Sequence, residues 1–332
     1  MSLIKIFYQL VLPCFFILNC QAQHNFKIEI LDNTALQLID PNAEIKVIGK
    51  GFNWTEGTLY IEEGDYLLFS DIPSNTVFKI NAKGEKSVFL KPSGYLGEKS
   101  YGDEPGSNGL LLNEKKELVL LQHGERQVAK MNSDLKKPKA EYTVLVNNFK
   151  GKRFNSPNDG VFDSTGNLYF TDPPYGLPKK MDDPAKELDF QGVYCLLQSG
   201  ELKLIDKLSR PNGIALSPDE TKLYVAVSDP KHAVWYQYDV TDIGTVENKQ
   251  LLFDVTNLVG KEGQKGLPDG MKIHSSGHIF ATGPGGVFIL NPAGKPIARI
   301  HTGQATANCA FSNDEKRLFL AADDYVLEVT LK

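Results

Sequence analysis

The feature that most constrains this chain is a polar residue, usually followed by glycine, that returns six times at intervals of about 50 residues. The six openings are Glu56-Gly57, Asn108-Gly109, Asn158-Asp159-Gly160, Asn212-Gly213, Asp269-Gly270 and Asn308-Cys309. Each leads through a short alternating run into a more apolar one: YLLFS at 66–70, LVLLQ at 118–122, LYFT at 168–171, LYVAV at 223–227, IFAT at 279–282 and LFLA at 318–321. These are strand compositions. Turns such as DSTGN at 163–167 and SPDET at 217–221 precede them, with the chemistry that sets hairpins. Third runs begin at Val77, Val128, Val193, Val234, Val287 and Val326, and fourth runs occupy 87–90, 143–146, 202–205, 250–253 and 298–301. The pattern predicts an all-β, six-bladed β-propeller with four-stranded antiparallel blades. The sixth repeat stops after its third strand at Lys332, which would leave an unpaired outer edge. The β-prone EIKVI at 44–48 is expected to supply the missing strand and close the ring.

A chain of 332 residues suits one repeat-built domain, read here as 23–332. With 41% hydrophobic and 23% charged residues, wholesale disorder and a multi-span membrane protein are excluded. The net charge is −5 and the 36 basic residues form no runs, which argues against a nucleic-acid partner and for a small molecule. Residues 1–22 read as an export signal: a Lys near the start, an apolar stretch over 6–18, then small or polar residues. That stretch is short for a bilayer span and contains Pro13. Cleavage after Ala22 gives a free periplasmic protein, whereas ILNC at 17–20 offers a lipid anchor at Cys20. Cys195 and Cys309, in separate apolar runs, are expected to be buried thiols rather than a bridge. With no C-x-x-C or H-E-x-x-H, a Cys- or His-built zinc site is not indicated.

In a propeller the first strand of each blade lies beside the central axis, so the six polar openings should face one another at one mouth. A single Asn or Asp at a strand start ordinarily serves local turns. Two carboxylates aimed into one confined channel are different: Glu56 and Asp269 would repel unless a cation sat between them. Carboxylate and carboxamide oxygens suit a hard divalent ion, Ca²⁺ above all, with Mg²⁺, Mn²⁺ and Zn²⁺ as alternatives. The loops 91–107 and 178–191 are long enough to serve as lids, and the first should lie on the face of the polar ring.

The strings WTEG at 54–57, LQHGERQV at 121–128, GKRFNSPNDG at 151–160, YFTDPPYG at 169–176, RPNG at 210–213, LPDGM at 267–271 and GPGGV at 283–287 resemble the gluconolactonase branch of the senescence marker protein/gluconolactonase/LRE-like family. The resemblance runs over residues 45 to 330. It implies a six-bladed propeller with metal ligands at Glu56, Asn158, Asn212 and Asp269, and Asp269 doubling as general base. Paraoxonases, more distant propeller lactonases, use a similar oxygen shell. The implied reaction is metal-dependent hydrolysis of a sugar lactone to an aldonic acid. No G-x-S-x-G elbow occurs, in keeping with a route that needs no covalent nucleophile. Arg153 resembles the family's substrate-contacting Arg, and His123 is expected to contact substrate or shuttle a proton. Asn108 is a candidate for a water-bridged shell, and Asp159 for a bond that holds Asn158. Hydrolysis of another ester, or a non-enzymatic ligand-binding propeller with a structural calcium, are the competing readings.

Overall fold

The computed structural model describes residues 26–99 and 101–332, so the leader read at 1–22, with the lipid-anchor site at Cys20, lies outside the described residues. Among those described, six antiparallel sheets are arranged as blades. In blade 1 the strands Thr55–Ile61, Tyr66–Asp71, Thr76–Asn81 and Lys86–Leu90 run outward in chain order. Blades 2 to 5 repeat this order from inner strands Ser107–Leu112, Gly160–Phe162, Pro211–Leu216 and Met271–Ile273. The inner strand of blade 6 is Thr306–Phe311. Each inner strand touches those of both neighbouring blades, and the sixth returns to the first.

Alternation within the second strands explains the packing. Side chains two apart along a strand share a face, so Leu67 and Phe69 enter the layer shared with blade 6, while Tyr66 and Leu68 enter the layer shared with blade 2. The same split occurs at Leu118 and Leu120 against Val119 and Leu121, and at Leu168 and Phe170 against Tyr169. The buried core therefore consists of six apolar clusters, one at each interface between adjacent blades. Cys195 and Cys309 are buried and unbridged in two of these layers, and burial pushes both thiols up to about 12.

The ring closes as expected. Ile45–Lys50 forms the outer strand of blade 6, antiparallel to Tyr325–Thr330, with Ile45 opposite Val329 and Val47 opposite Leu327. A second N-terminal strand, unanticipated from sequence, goes further: Lys27–Ile30 pairs with Pro296–His301 and gives blade 5 a fifth strand. The 3₁₀ turn Asn33–Gln37 then carries the chain across the seam, and Ala35, Leu38 and Ile39 fill the layer between blades 5 and 6. The GPGG segment is a hairpin turn, with Gly283 paired to Gly286. No helix among the described residues is long and apolar enough to cross a membrane.

Candidate functional site at the axial mouth

The inner strands lie close because of the glycine that directly follows four of the six polar openings. A Cβ on Gly57 would stand 2.0 Å from the Asn108 carbonyl oxygen, and one on Gly213 would stand 2.2 Å from that of Asp269. Real side chains do not approach backbone so closely, so these positions must be glycine for the next blade's polar residue to reach the axis. Adjacent strands are laced by the Gly109 N–H donating to Asn158 O (2.8 Å) and the Gly270 N–H donating to Ala307 O (2.7 Å). Hydroxyls at or near the ends of second strands complete the lacing. Ser70 donates to Asn108 O (2.8 Å), Thr171 to Asn212 O (2.7 Å), Thr282 to Ala307 O (3.1 Å) and Ser228 to Pro268 O. Blades 1 to 4 thereby fix the main chain that carries the next blade's cavity-lining side chain.

The result is a cavity of about 220 Å³ lined by Glu56, Asn108, Asn158, Asn212 and Asp269, one residue from each of blades 1 to 5. Trp54, Ile72 and Leu267 are large apolar residues of its lining. The sixth opening behaves differently. Asn308 does not line the cavity; its amide donates to Glu56 Oε2 (3.4 Å), and its Oδ1 accepts from Cys309 N–H (2.8 Å). Asn308 thus braces Glu56 from behind.

The electrostatics of the site are those of crowded anions. Burial, followed by repulsion from Asp159, pushes the Glu56 carboxyl up to about 8, against weaker support from the Gly57 N–H and Asn308. Burial and then the charge of Glu56 hold Asp269 well above the usual carboxylate range. The amides add unmet acceptors. Asn212 Nδ2 donates to Ser228 Oγ (2.9 Å), which leaves its Oδ1 buried and without a partner, and Asn108 Oδ1 is in the same state. Buried oxygens without donors are costly. A set of carboxylates that repel one another and amide oxygens that lack donors has the donor chemistry of a hard-cation site. The described residues hold no group of three or more His, Cys, Asp or Glu set to bind a metal, so such a site rests on the amide oxygens as well.

The sequence-based candidates divide. Glu56, Asn108, Asn158, Asn212 and Asp269 are brought together. Asp159 is not: Asn158 faces the cavity, whereas Asp159 Oδ1 accepts from Gly160 N–H (2.8 Å), its Oδ2 is buried without a partner, and it makes no bond to the Asn158 amide. Arg153 is also elsewhere. It lies exposed on the small hairpin of Asn148–Phe149 and Lys152–Arg153, and its guanidinium donates to Glu125 O (3.0 Å). His123 is fully buried and does not line the cavity; its Nδ1 lies 3.3 Å from Glu104 Oε2.

Both long loops reach the mouth. The 91–106 segment brings Glu104, and the chain after the second strand of blade 3 brings Tyr175 and Lys180. Sequence reasoning missed Glu104, Tyr175 and Ser228. Only the last had a usable signal, in the hydroxyl that recurs near second-strand ends. A related repeat marks Asp71 and Asp172, which follow that hydroxyl in FSD and FTD. Asp71 Oδ1 accepts from the Asn53 and Trp54 N–H groups (3.1 and 3.0 Å); Asp172 Oδ2 accepts from Asn155 N–H (2.9 Å) and its Oδ1 from Ser156 N–H (2.7 Å). Both carboxylates pin the strand that enters the mouth.

A six-bladed propeller with carboxylates and amides from successive blades around one axial cavity defines the class of protein. Residues 54–323 match the SMP-30/Gluconolactonase/LRE-like region, and the chain belongs to this family. It is 39% identical over 300 residues to a gluconolactonase of Zymomonas mobilis, covering 89% of this chain and 83% of that one. It is 28% identical over 195 residues to a lactonohydrolase of Aspergillus oryzae, covering 52% and 43%. Among solved structures, a gluconolactonase from Xanthomonas campestris superimposes with a TM-score of 0.79 at 25% identity, covering 92% of this chain and 95% of that one.

Proposed function

We propose that this chain is a lactonase that hydrolyses a sugar lactone to the open hydroxy acid, with a divalent cation, calcium above all, held at the axial mouth. The convergence of five polar residues on one cavity, with donorless amide oxygens beside mutually repelling carboxylates, carries the reading. The cavity of about 220 Å³ is smaller than the roughly 300 Å³ and upward of drug-sized pockets, which suits a single ring. The gluconolactonase and lactonohydrolase relatives support the substrate class.

Glu56, Asn158, Asn212 and Asp269 would hold the cation. When bound, it supplies polarisation of the ester carbonyl and compensation of negative charge on its oxygen. The chain's own groups do the rest. Asp269 accepts the proton of the attacking water at its carboxylate. Asn308 and the Gly57 N–H hold Glu56 Oε2, and Ser228 orients the Asn212 amide. Trp54, Ile72 and Leu267 offer apolar surface to the C–H face of the ring. The leader read at 1–22 would send this activity to the periplasm or the cell envelope.

A pH-stat assay over a lactone panel, with and without chelator, tests the reading. Ring opening above the spontaneous rate, lost on chelation and in Asp269→Asn, is the expected result. Failure of every lactone to open faster than it does in buffer would remove the proposal.

A further inference from the structure

The 91–106 segment and the turn after the second strand of blade 3 meet on His123. This residue is fully buried, and neither ring nitrogen has a hydrogen-bond partner. Its Nδ1 stands 3.3 Å from Glu104 Oε2. A Cβ at Gly176 would lie 2.5 Å from the His123 Cβ and 2.8 Å from the Ser156 Cβ, so only glycine lets the turn before the second loop settle there. Tyr175, one residue before, lines the cavity. The main chain around Glu104 is also pinned at this point. The His123 N–H donates to Gly106 O (3.1 Å), the Gly106 N–H donates to Ile72 O (3.0 Å), and a Cβ on Gly124 would meet Pro105 O at 2.6 Å. Glu104 therefore faces the cavity from a fixed backbone, with a buried imidazole behind its carboxylate.

We propose that Glu104 is a specificity-determining residue whose carboxylate accepts hydrogen bonds from ring hydroxyls of the substrate, and that His123 is the positioning residue that holds it. This rests on the sugar-lactone reading of the cavity. Glu104 stands outside the cation set named above, on a loop at the cavity wall, and an ionised carboxylate is acceptor-only. Its natural partners are hydroxyl donors. A ring without hydroxyls leaves that acceptor without a donor, and a site built to pair a substrate hydroxyl rejects an analogue lacking it.

The test compares glucono-δ-lactone with δ-valerolactone, the same ring without hydroxyls, in the intact protein supplied with calcium. Glu104→Gln is expected to raise KM for the hydroxylated lactone by roughly 10- to 100-fold, and to change the constants for δ-valerolactone by much less. His123→Phe should shift KM in the same direction. His123→Asn, which keeps a polar group near the Nδ1 position, should restore it. Calcium affinity, read by titration calorimetry, should fall in Glu104→Gln by less than the rise in KM for glucono-δ-lactone. Equal losses on both lactones, no change on either, or loss of calcium binding in Glu104→Gln would overturn the inference. If His123→Phe does not fold, Glu104→Gln at the cavity wall still decides. Should wild type open neither lactone, the functional reading fails by itself. The Glu104 assignment is then judged by whether 1,5-anhydroglucitol, a non-hydrolysable hydroxylated ring, binds wild type at least tenfold more tightly than Glu104→Gln; equal affinity removes it.

Discussion

The closure seam and the axial mouth treat polar groups in opposite ways. At the seam the chain's two ends are joined by ladders: Ile45–Lys50 on Tyr325–Thr330, Lys27–Ile30 on Pro296–His301, and the Lys332 N–H on Leu38 O (3.0 Å). Beneath them Ile297, Ile300, Val329 and Leu331 are buried against Leu38 and Ile39. At the mouth, carboxylates crowd together and the Oδ1 atoms of Asn108 and Asn212 lack donors. Stability resides in the interblade layers and the ladders, and that surplus lets the mouth hold groups whose best partner is a ligand. Families commonly place strain at the functional site in this way.

The largest effect that would break this contrast is removal of the seam. Deleting residues 26–50 takes both N-terminal strands away and exposes two strand edges with the apolar layer below. The truncated protein should lose cooperative unfolding altogether in a thermal melt; a melt like that of the full chain would show that the ring does not need its latch. At the mouth the expectation is reversed. Asp269→Asn should lower kcat by roughly 10²- to 10⁴-fold, while the Tm in chelator holds steady or rises because one repelling charge is gone. A large fall in Tm with activity intact would assign Asp269 to the scaffold.

Asp172 sharpens the comparison, being buried at the approach to the mouth yet supplied with donors. Burial pushes its carboxyl up to about 7, against the lowering effect of the Asn155 and Ser156 N–H groups. Its folded pKa is thus above the unfolded value near 3.8. Between those values the folded chain keeps a proton that the unfolded chain has released, so this group's contribution falls as pH rises from about 4 to about 7 and is flat above. Urea unfolding should show the stability difference between wild type and Asp172→Asn shrinking across that window, by at most about 4 kcal/mol. A difference that grows with pH would mean that the donors outweigh burial and keep the group ionised. The smallest effect concerns spacing. Gly213→Ala places a methyl against the Asp269 main chain and should cost about 1–3 kcal/mol, with a parallel loss of kcat as Asp269 is displaced. An unaffected kcat would show that the mouth tolerates wider strand separation.

The blade pattern was legible because each second strand is buried on both faces, and that demands an apolar run at a fixed distance from each polar opening. The closing strand could be read from the unfinished sixth blade, since an unpaired edge is costly. The strand Lys27–Ile30 was not legible, because blade 5 was already complete and nothing in the sequence required a fifth strand. At the site, Glu56, Asn108, Asn158, Asn212 and Asp269 were found from one positional rule. The bond expected between Asp159 and Asn158 does not form, because Asp159 Oδ1 is taken by the Gly160 N–H.

The sequence by itself determined the number of blades, the closure of the ring and which residues begin the inner strands, since these follow from local periodicity and from the cost of unpaired edges. Only the tertiary structure decided which distant side chains share the cavity. It turned Asn308 back onto Glu56, left Arg153 on the surface, and set Glu104 over the mouth with His123 behind it. Those outcomes depend on loop paths and on close glycine contacts between segments far apart in the chain, and no local pattern encodes them.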